Sequence, residues 1–525
     1  MLKLQGEAGS DVLKGCNYAV IGEEELKKKA GPKGYKLDEL EKAISEADSS
    51  VVTVGKIWAL AEKDTLLHRD PKLKRLCLSF ALHKLLRRRL EEYPITDAEA
   101  SNCRDLVFKG LWREGMGGED AIQVFSDELQ FLCEYYHSVL PVVFASPFFF
   151  VHNYILFPII VWAFCILMLI LCSNGDVPYA LHSFRTDNSV MSGGVLRIAR
   201  CVLGKVWEFI VFLISNWFMV SLLCSHTSTP EWRTHPLLRR IIPSIVSVRN
   251  TMNQPQVCFK QFSVLRFSRL SLPLPTREVP EEAKTLIMER LARVSRDAPL
   301  SNGMSVLRSA EHRLSIQSHE LSWACKSDSI AEVILTWHIA TALLDATYRR
   351  QRGTRPEDGR EAATALSGYC AYLVAFHPKL LPDDKDGTEL VHADMKRQLR
   401  EEMGGWWGYY RSGESDRYTK LMQVARTRQE ETTVISKGAR LGKVFIDRYK
   451  DDARERVWKL LGDLWTEVML YVAPTSGELH MKAHKAALAE GGEFITVLWA
   501  IVTHTGITRP AEQVEAPLRT ISIAG

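Results

Sequence analysis

At 525 residues and 59.5 kDa the chain has room for two to four ordinary domains, and 46% hydrophobic with 25% charged residues excludes a low-complexity or disordered protein. Lys+Arg 67 against Asp+Glu 63 leaves a net charge of +4, too mild to predict a nucleic-acid partner. Eleven scattered cysteines with no CxxC pair argue against a disulfide framework or a zinc module, and predict reduced thiols. The mean hydropathy of −0.09 averages over very uneven segments.

The first thirty residues lack the apolar stretch of a secretory signal, and no Asn-x-Ser/Thr sequon is present. Helical spacing of apolar residues then predicts four helices, in "KLDELEKAISEA", "LKRLCLSFALHKLLRRRLEEY", "ITDAEASNCRDLVFKGLW" and "EDAIQVFSDELQFLCEYYHSVL". The second carries a basic footprint, Lys72, Lys74, Arg75, Lys84, Arg87, Arg88 and Arg89, read as a solvated helix face before a contact with lipid or a partner. Pro94 stops that helix, and Thr96 with Glu99 has the spacing of a capping box for the next.

"YILFPIIVWAFCILMLILC", Tyr154 to Cys172, is uncharged and close to the ~20 residues that a bilayer-spanning helix needs. The stretch before it, "LPVVFASPFFFVHN", is apolar but broken by Pro141 and Pro147, which suits an interfacial lead-in. A second span is predicted over Val206 to Cys224, with Glu208 near one end and Asn216 at its centre, where an amide wants an interhelical partner. Two spans leave both chain ends on one side. The positive-inside count does not orient them, because Arg185, Arg197, Arg200 and Lys205 compete with Arg233, Arg239 and Arg240. The free cysteines favour cytosolic termini.

"LSLPLPTREVPEEAKT" reads as a linker, and "RGTRPEDGRE", "LPDDKDG" and "GGWWGYYRSGESDRY" as loops. "PQVCFKQFSVLRFS" predicts one short strand. Further on, Val333, Trp337, Ala340, Leu344 and Tyr348 form one helical stripe, and Trp458, Leu461, Trp465, Val468 and Val472 another. On this second helix Lys459, Asp463 and Glu467 are expected elsewhere on the surface. "GGEFITVLWAIVTHTG" predicts a last helix with Phe494, Val497, Leu498, Ile501 and Thr505 on one face.

Chemistry is sparse in this pattern. Eleven helical steps put Glu493 and His504 roughly 16 Å apart, so they suit the two ends of a helix dipole and not one catalytic site. His480 and His484 have the i, i+4 spacing of a metal grip, but Met481 stands where HExxH has its glutamate and no third ligand is indicated. "GARLGKV", Gly438 to Val444, has three residues between its glycines and no hydroxyl after the lysine, so it is not a phosphate loop. His338 and His377 are expected as core or cap residues. No catalytic, cofactor-binding or metal residue is assigned, and no cofactor is expected.

"CLSFALHKLLRRRLE", "DELQFLCEYYHSVLPVVF", "ILTWHIATALLD", "LSGYCAYLVAFHPKLLP", "GARLGKV" and above all "EVMLYVAPTSGELHMKAHKAALAEGGEFITVLWAIVTHTGI" resemble a plant, grass-abundant family of membrane proteins. That family pairs domain of unknown function 4220 with a C-terminal domain of unknown function 594. The resemblance implies a multi-pass membrane protein with no established reaction, cofactor or catalytic residue. Members usually begin with further hydrophobic segments, and this chain starts after the place where they would lie.

The expectation is a mainly α-helical integral membrane protein with about two transmembrane helices and cytosolic helical domains. Its regions are 1–135, helical and soluble; 136–250, with spans near 154–172 and 206–224; 251–453, helical and soluble; 454–508, the C-terminal domain; and a tail, 509–525. The expected function is a membrane-tethered interaction protein whose partners are the lipid bilayer and other proteins, with no nucleic acid. The alternatives are a transporter or channel subunit acting through Asn216, or an enzyme using His480, His484 or His338.

Overall fold

The computed structural model describes residues 12–23, 26, 28–31, 34–37, 50–61, 71–91, 97–112, 118–137, 156–171, 257–266, 274–294, 300–314, 321–352, 359–427, 433–448, 454–474, 477–489 and 492–509. The chain is mainly helical. It divides into two units, one made of the described residues up to Tyr136 together with those from Gln256 onward, the other of those between His137 and Pro255.

The first unit opens with small antiparallel pairings, β1 (Ala19–Ile21) with β4 (Val52–Thr53) and β2 (Lys28–Gly31) with β3 (Gly34–Leu37). Helices α1 (Val54–Ala61), α2 (Pro71–Leu90), α3 (Asp97–Asp105) and α4 (Glu119–His137) follow, and α3 runs on as a π-turn, Leu106–Leu111. The long basic helix is therefore present as α2, while most of "KLDELEKAISEA" and the Pro94 and Thr96 signals lie outside the described residues. Part of the basic footprint is paired and not merely solvated: Arg75 meets Asp127 at 2.8 Å and Arg88 meets Glu99 at 2.8 Å.

The second unit contains α5 (Phe157–Leu171), the described part of the first predicted span. Its nearest side chains lie bare, with Phe157 59%, Ile159 59%, Trp162 71% and Phe164 57% exposed. The second predicted span, with Glu208 and Asn216, and the 140–153 lead-in lie outside the described residues.

Beyond Gln256 the expected strand appears as β5 (Cys258–Lys260), paired antiparallel with β6 (Thr276–Glu278), which falls inside the segment read as a linker. Then come α6 (Glu281–Val294), α7 (Met304–Leu314), α8 (Ile330–Arg352), α9 (Arg360–Phe376) and α10 (Lys385–Glu402). Asp384 caps α10 by accepting from the backbone of Asp386 and Gly387 at 3.2 Å each. The run "GGWWGYYRSGESDRY", read as a loop, folds instead as α11 (Trp406–Arg411) and the start of α12 (Glu414–Thr427). Gly404 and Gly405, with φ of +80° and +92°, make the turn that separates them from α10. The series ends with α13 (Val434–Arg448), α14 (Arg454–Val472), α15 (Glu478–Ala489) and α16 (Phe494–His504).

α8 is the centre of the packing. Among the described residues it is the one helix long and apolar enough to cross a membrane, yet 89% of that apolar window is buried inside the unit, against α9 and α13. Every member of its predicted stripe is buried, as is every member of the α14 stripe. "GARLGKV" is the reason α13 comes so close: a Cβ on Gly438 would stand 2.7 Å from Ile339 Cβ, and one on Gly442 would stand 2.9 Å from Leu343 Cδ1. Those glycines serve helix contact, not phosphate.

Candidate functional site

All but His338 of the histidines singled out by sequence lie around α16 with Glu493, and α16 is buried on nearly all sides. Glu493 is its N-cap by backbone geometry, but its side chain makes no capping hydrogen bond. Instead the Tyr369 hydroxyl of α9 accepts from the Ile495 N–H at 2.8 Å, so an orphan donor of the first turn is satisfied from another helix. The Glu493 carboxylate accepts from the Tyr372 hydroxyl at 3.0 Å and faces His377 Nε2 at 3.5 Å and Lys260 Nζ at 3.7 Å. Because Tyr372 gives its one proton to Glu493, the 2.7 Å contact with His377 requires that His377 Nε2–H donate to the tyrosine oxygen. Two residues 116 positions apart, one expected as a cap and one as a core histidine, thus share one polar array.

At the other end of α16, His504 is 1% exposed and its Nε2–H donates to Glu128 of α4, itself 0% exposed, at 2.7 Å. Burial by itself lowers an imidazole pKa, but the Glu128 carboxylate outweighs it and holds His504 up at about 10. Burial pushes Glu128 up from the usual carboxylate range while His504 pulls it back. Arg104 of α3 donates through Nε and Nη2 to the Thr505 carbonyl at 3.1 and 2.6 Å, occupying an acceptor at the helix end, and Cys133 Sγ donates to the Leu488 carbonyl at 2.9 Å. The helix dipole expected to interest His504 is therefore secondary to a buried partner from the first 136 residues.

His480 and His484 stack side by side with ring centroids 4.8 Å apart. His480 Nε2–H donates to the Leu380 carbonyl at 3.0 Å, while His484 Nδ1 is 3.3 Å from Thr496 Oγ1 and its ring lies on Trp499 at 5.0 Å. Burial holds His480 down at about 4 and His484 well below its ordinary value, so both are neutral. His338 accepts the Val264 N–H at Nε2 (3.2 Å) and donates from Nδ1 to Ser367 Oγ (2.9 Å), which ties the 257–266 segment to α8 and α9. Its burial likewise lowers it to about 4. Both ring nitrogens are committed.

Sequence reasoning missed two carboxylates. Asp345, 8% exposed, accepts from Arg266, Arg349 and Arg360, the last through Nε and Nη2 at 3.0 and 2.7 Å. Glu467, expected on the surface, is 0% exposed and receives Ser301 Oγ, Ser305 Oγ and the Val306 N–H at 2.5, 2.5 and 3.0 Å, with Arg290 Nη2 at 3.2 Å. It caps the first turn of α7 from α14. Arg349 four residues after Asp345 was a visible signal for the first; nothing local marks the second.

Beside Glu467 opens a cleft of about 330 Å³ between α6, α7 and α14, whose polar lining includes Glu289, Arg290, Arg293, Lys459 and Asp463. The buried arrays around α16 hold helices together, whereas this cleft is open space with charge on its walls.

A family model described as a domain of unknown function (DUF4220) matches residues 13–267, and another, described as a protein of unknown function, DUF594, matches residues 450–507. The Glu128–His504 pair therefore joins the two matched regions. No curated protein and no solved structure matches the chain.

Proposed function

Because the chain belongs to the family that pairs an N-terminal DUF4220 with a C-terminal DUF594, we propose that it is a membrane-tethered interaction protein: α5 lies in lipid, and the helical unit built around α8 docks other proteins. The observation that carries this reading is the bareness of α5. Its described side chains from Leu156 to Phe164 are exposed, and all but Ala163 are large or branched apolar groups or the Pro158 ring. Water would charge about 25 cal/mol for every Å² of that surface, while hydrocarbon would not. The uncharged stretch 154–172 is about 28 Å long as a helix, near the ~30 Å thickness of a bilayer core. Docking is supported by large apolar side chains left uncovered on the helical unit, Trp407 at 79%, Leu390 at 71% and Leu479 at 83% exposed.

Alkaline carbonate extraction of tagged full-length protein, combined with protease protection of both termini, tests the tether. The expected result is retention in the membrane pellet with both termini digested from the same side. Release into the supernatant overturns the tether, and termini on opposite sides overturn the two-span arrangement.

A further inference from the structure

Lys459 and Asp463 stand one turn apart on α14, the i, i+4 spacing at which opposite charges ordinarily meet. Among the described residues neither makes an ion pair within 4.0 Å or a hydrogen bond. The other charges of the cleft are already balanced: Arg290 lies 3.2 Å from Glu467, and Arg293 lies 3.3 Å from Glu289. What remains is one ammonium and one carboxylate on the walls of the same space of about 330 Å³. Arg290 Nε, also without a partner, is buried behind the wall. Ser309 and Thr466 give their hydroxyl protons to the carbonyls of Ser305 and Gly462, at 2.7 and 2.8 Å, and keep lone pairs free to accept.

We propose that this cleft binds a compact zwitterion, whose anionic group meets Lys459 and whose ammonium meets Asp463. The volume lies at the low end of small-molecule sites, which suits a molecule of amino-acid size. An ion of one sign gains from one wall and is opposed by the other, so the separated pair selects a ligand carrying both signs. Burial raises the Asp463 carboxyl while Arg293, Lys459 and Arg290 oppose that rise, and a ligand ammonium acts in the same direction as those cations. The lining belongs wholly to the helical unit, so the inference stands apart from the membrane reading.

The test is isothermal titration of the full-length protein in detergent with L-serine and with O-phosphoethanolamine, the free amino acid and the lipid-headgroup form of the same chemistry. Acetate and methylammonium serve as single-charge controls. The expected result is saturable binding of at least one zwitterion, with a Kd on the order of 1 mM or tighter, and no saturation by either control. Lys459→Met and Asp463→Asn should each weaken binding about tenfold, while the exchange Lys459→Asp with Asp463→Lys restores it in part. Arg397→Gln on α10, at a side chain 61% exposed and outside the cleft, should leave zwitterion binding within about threefold, which shows that loss of a surface charge elsewhere does not abolish it. Serine binding alone assigns a free amino acid, and phosphoethanolamine binding alone assigns a headgroup. No saturation by either zwitterion, equal binding of a control, or variants that bind as the parent does would each overturn the proposal.

Discussion

α8 and α5 both carry long apolar runs, but the run in α8 is buried and the described side chains of α5 are exposed. α8 is wrapped by protein and carries Glu332, Thr336, His338, Thr341, Asp345 and Thr347 along its length. The burial of its polar groups is tolerated because they are partnered: Thr341 and Thr347 donate to the carbonyls one turn back, Trp465 Nε1 donates to Thr341 Oγ1 at 3.2 Å, and Asp345 gathers three arginines. α5 is bare along its described side chains and, from Phe157 to Leu171, contains no residue that ionises near neutral pH. A protein interior supplies specific partners, so a core helix can keep polar residues; hydrocarbon supplies none, so a lipid-facing helix sheds them. α5 is therefore the far more apolar of the two on average, and the polar minority of α8 makes the difference.

The comparison breaks most visibly at tryptophan. Trp337→Ala in α8, at 0% exposure, should cost about 3–5 kcal/mol in urea unfolding of the detergent-solubilised chain. Trp162→Ala in α5, at 71% exposure, should stay within about 0.5 kcal/mol. Equal losses would mean that α5 packs on protein after all. Next in size, Phe164→Arg should oppose membrane insertion by about 2.5–3.5 kcal/mol and release protein into the carbonate supernatant, with the urea midpoint of the helical unit unchanged. Retention equal to that of the parent would refute a lipid-buried α5.

pH loosens the helical unit by a route that leaves α5 untouched. His504 has its pKa raised from 6.5 to about 10, so the folded chain holds that proton more tightly than the unfolded one. The stability it contributes is fully present below pH 6.5 and is lost as pH rises towards 10. Glu128 is also raised and acts in the same sense, while the thiols of Cys16 and Cys325, raised to about 11 and 12, add their decline only from pH 9.0 upward. Between about pH 6.5 and 9 the decline should be on the order of 1–3 kcal/mol, and His504→Gln should flatten it. An unaltered slope in that variant would show that the pair is not ionised. An effect of similar size is expected at the helix seam: Gly438→Ala places a methyl against Ile339 and should cost about 1–3 kcal/mol by overpacking, read as a lowered Tm.

Much of the fold was legible locally. The stripes of α8 and α14 fell on buried positions, because a 3.6-residue period reports which side a helix turns from water, whereas α16 is buried on nearly all sides and its stripe named only part of what is covered. β5 followed from alternation around Val257 and Phe259. The WWGYY segment was misread because glycines flanking aromatics resemble a turn, whereas Tyr409, buried over the Arg417 guanidinium at 4.7 Å, anchors it as a helix. The i, i+4 spacing of His480 and His484 was visible in the sequence, but the burial that keeps both rings neutral, and their contacts with Leu380, Thr496 and Trp499, follow from no spacing rule.

By itself the sequence determined the helical character, the apolar faces, the uncharged stretch at 154–172 and the resemblance that the two family models bear out. Only the tertiary structure decided which charges are buried and with whom: Glu128 with His504, Glu467 with the start of α7, Asp345 with its arginines, and Lys459 left apart from Asp463. The reason is physical. Helical periodicity is set within a few residues, while the energy of a charge is set by whatever the fold brings within a few ångströms of it, here from as far as 401 positions along the chain.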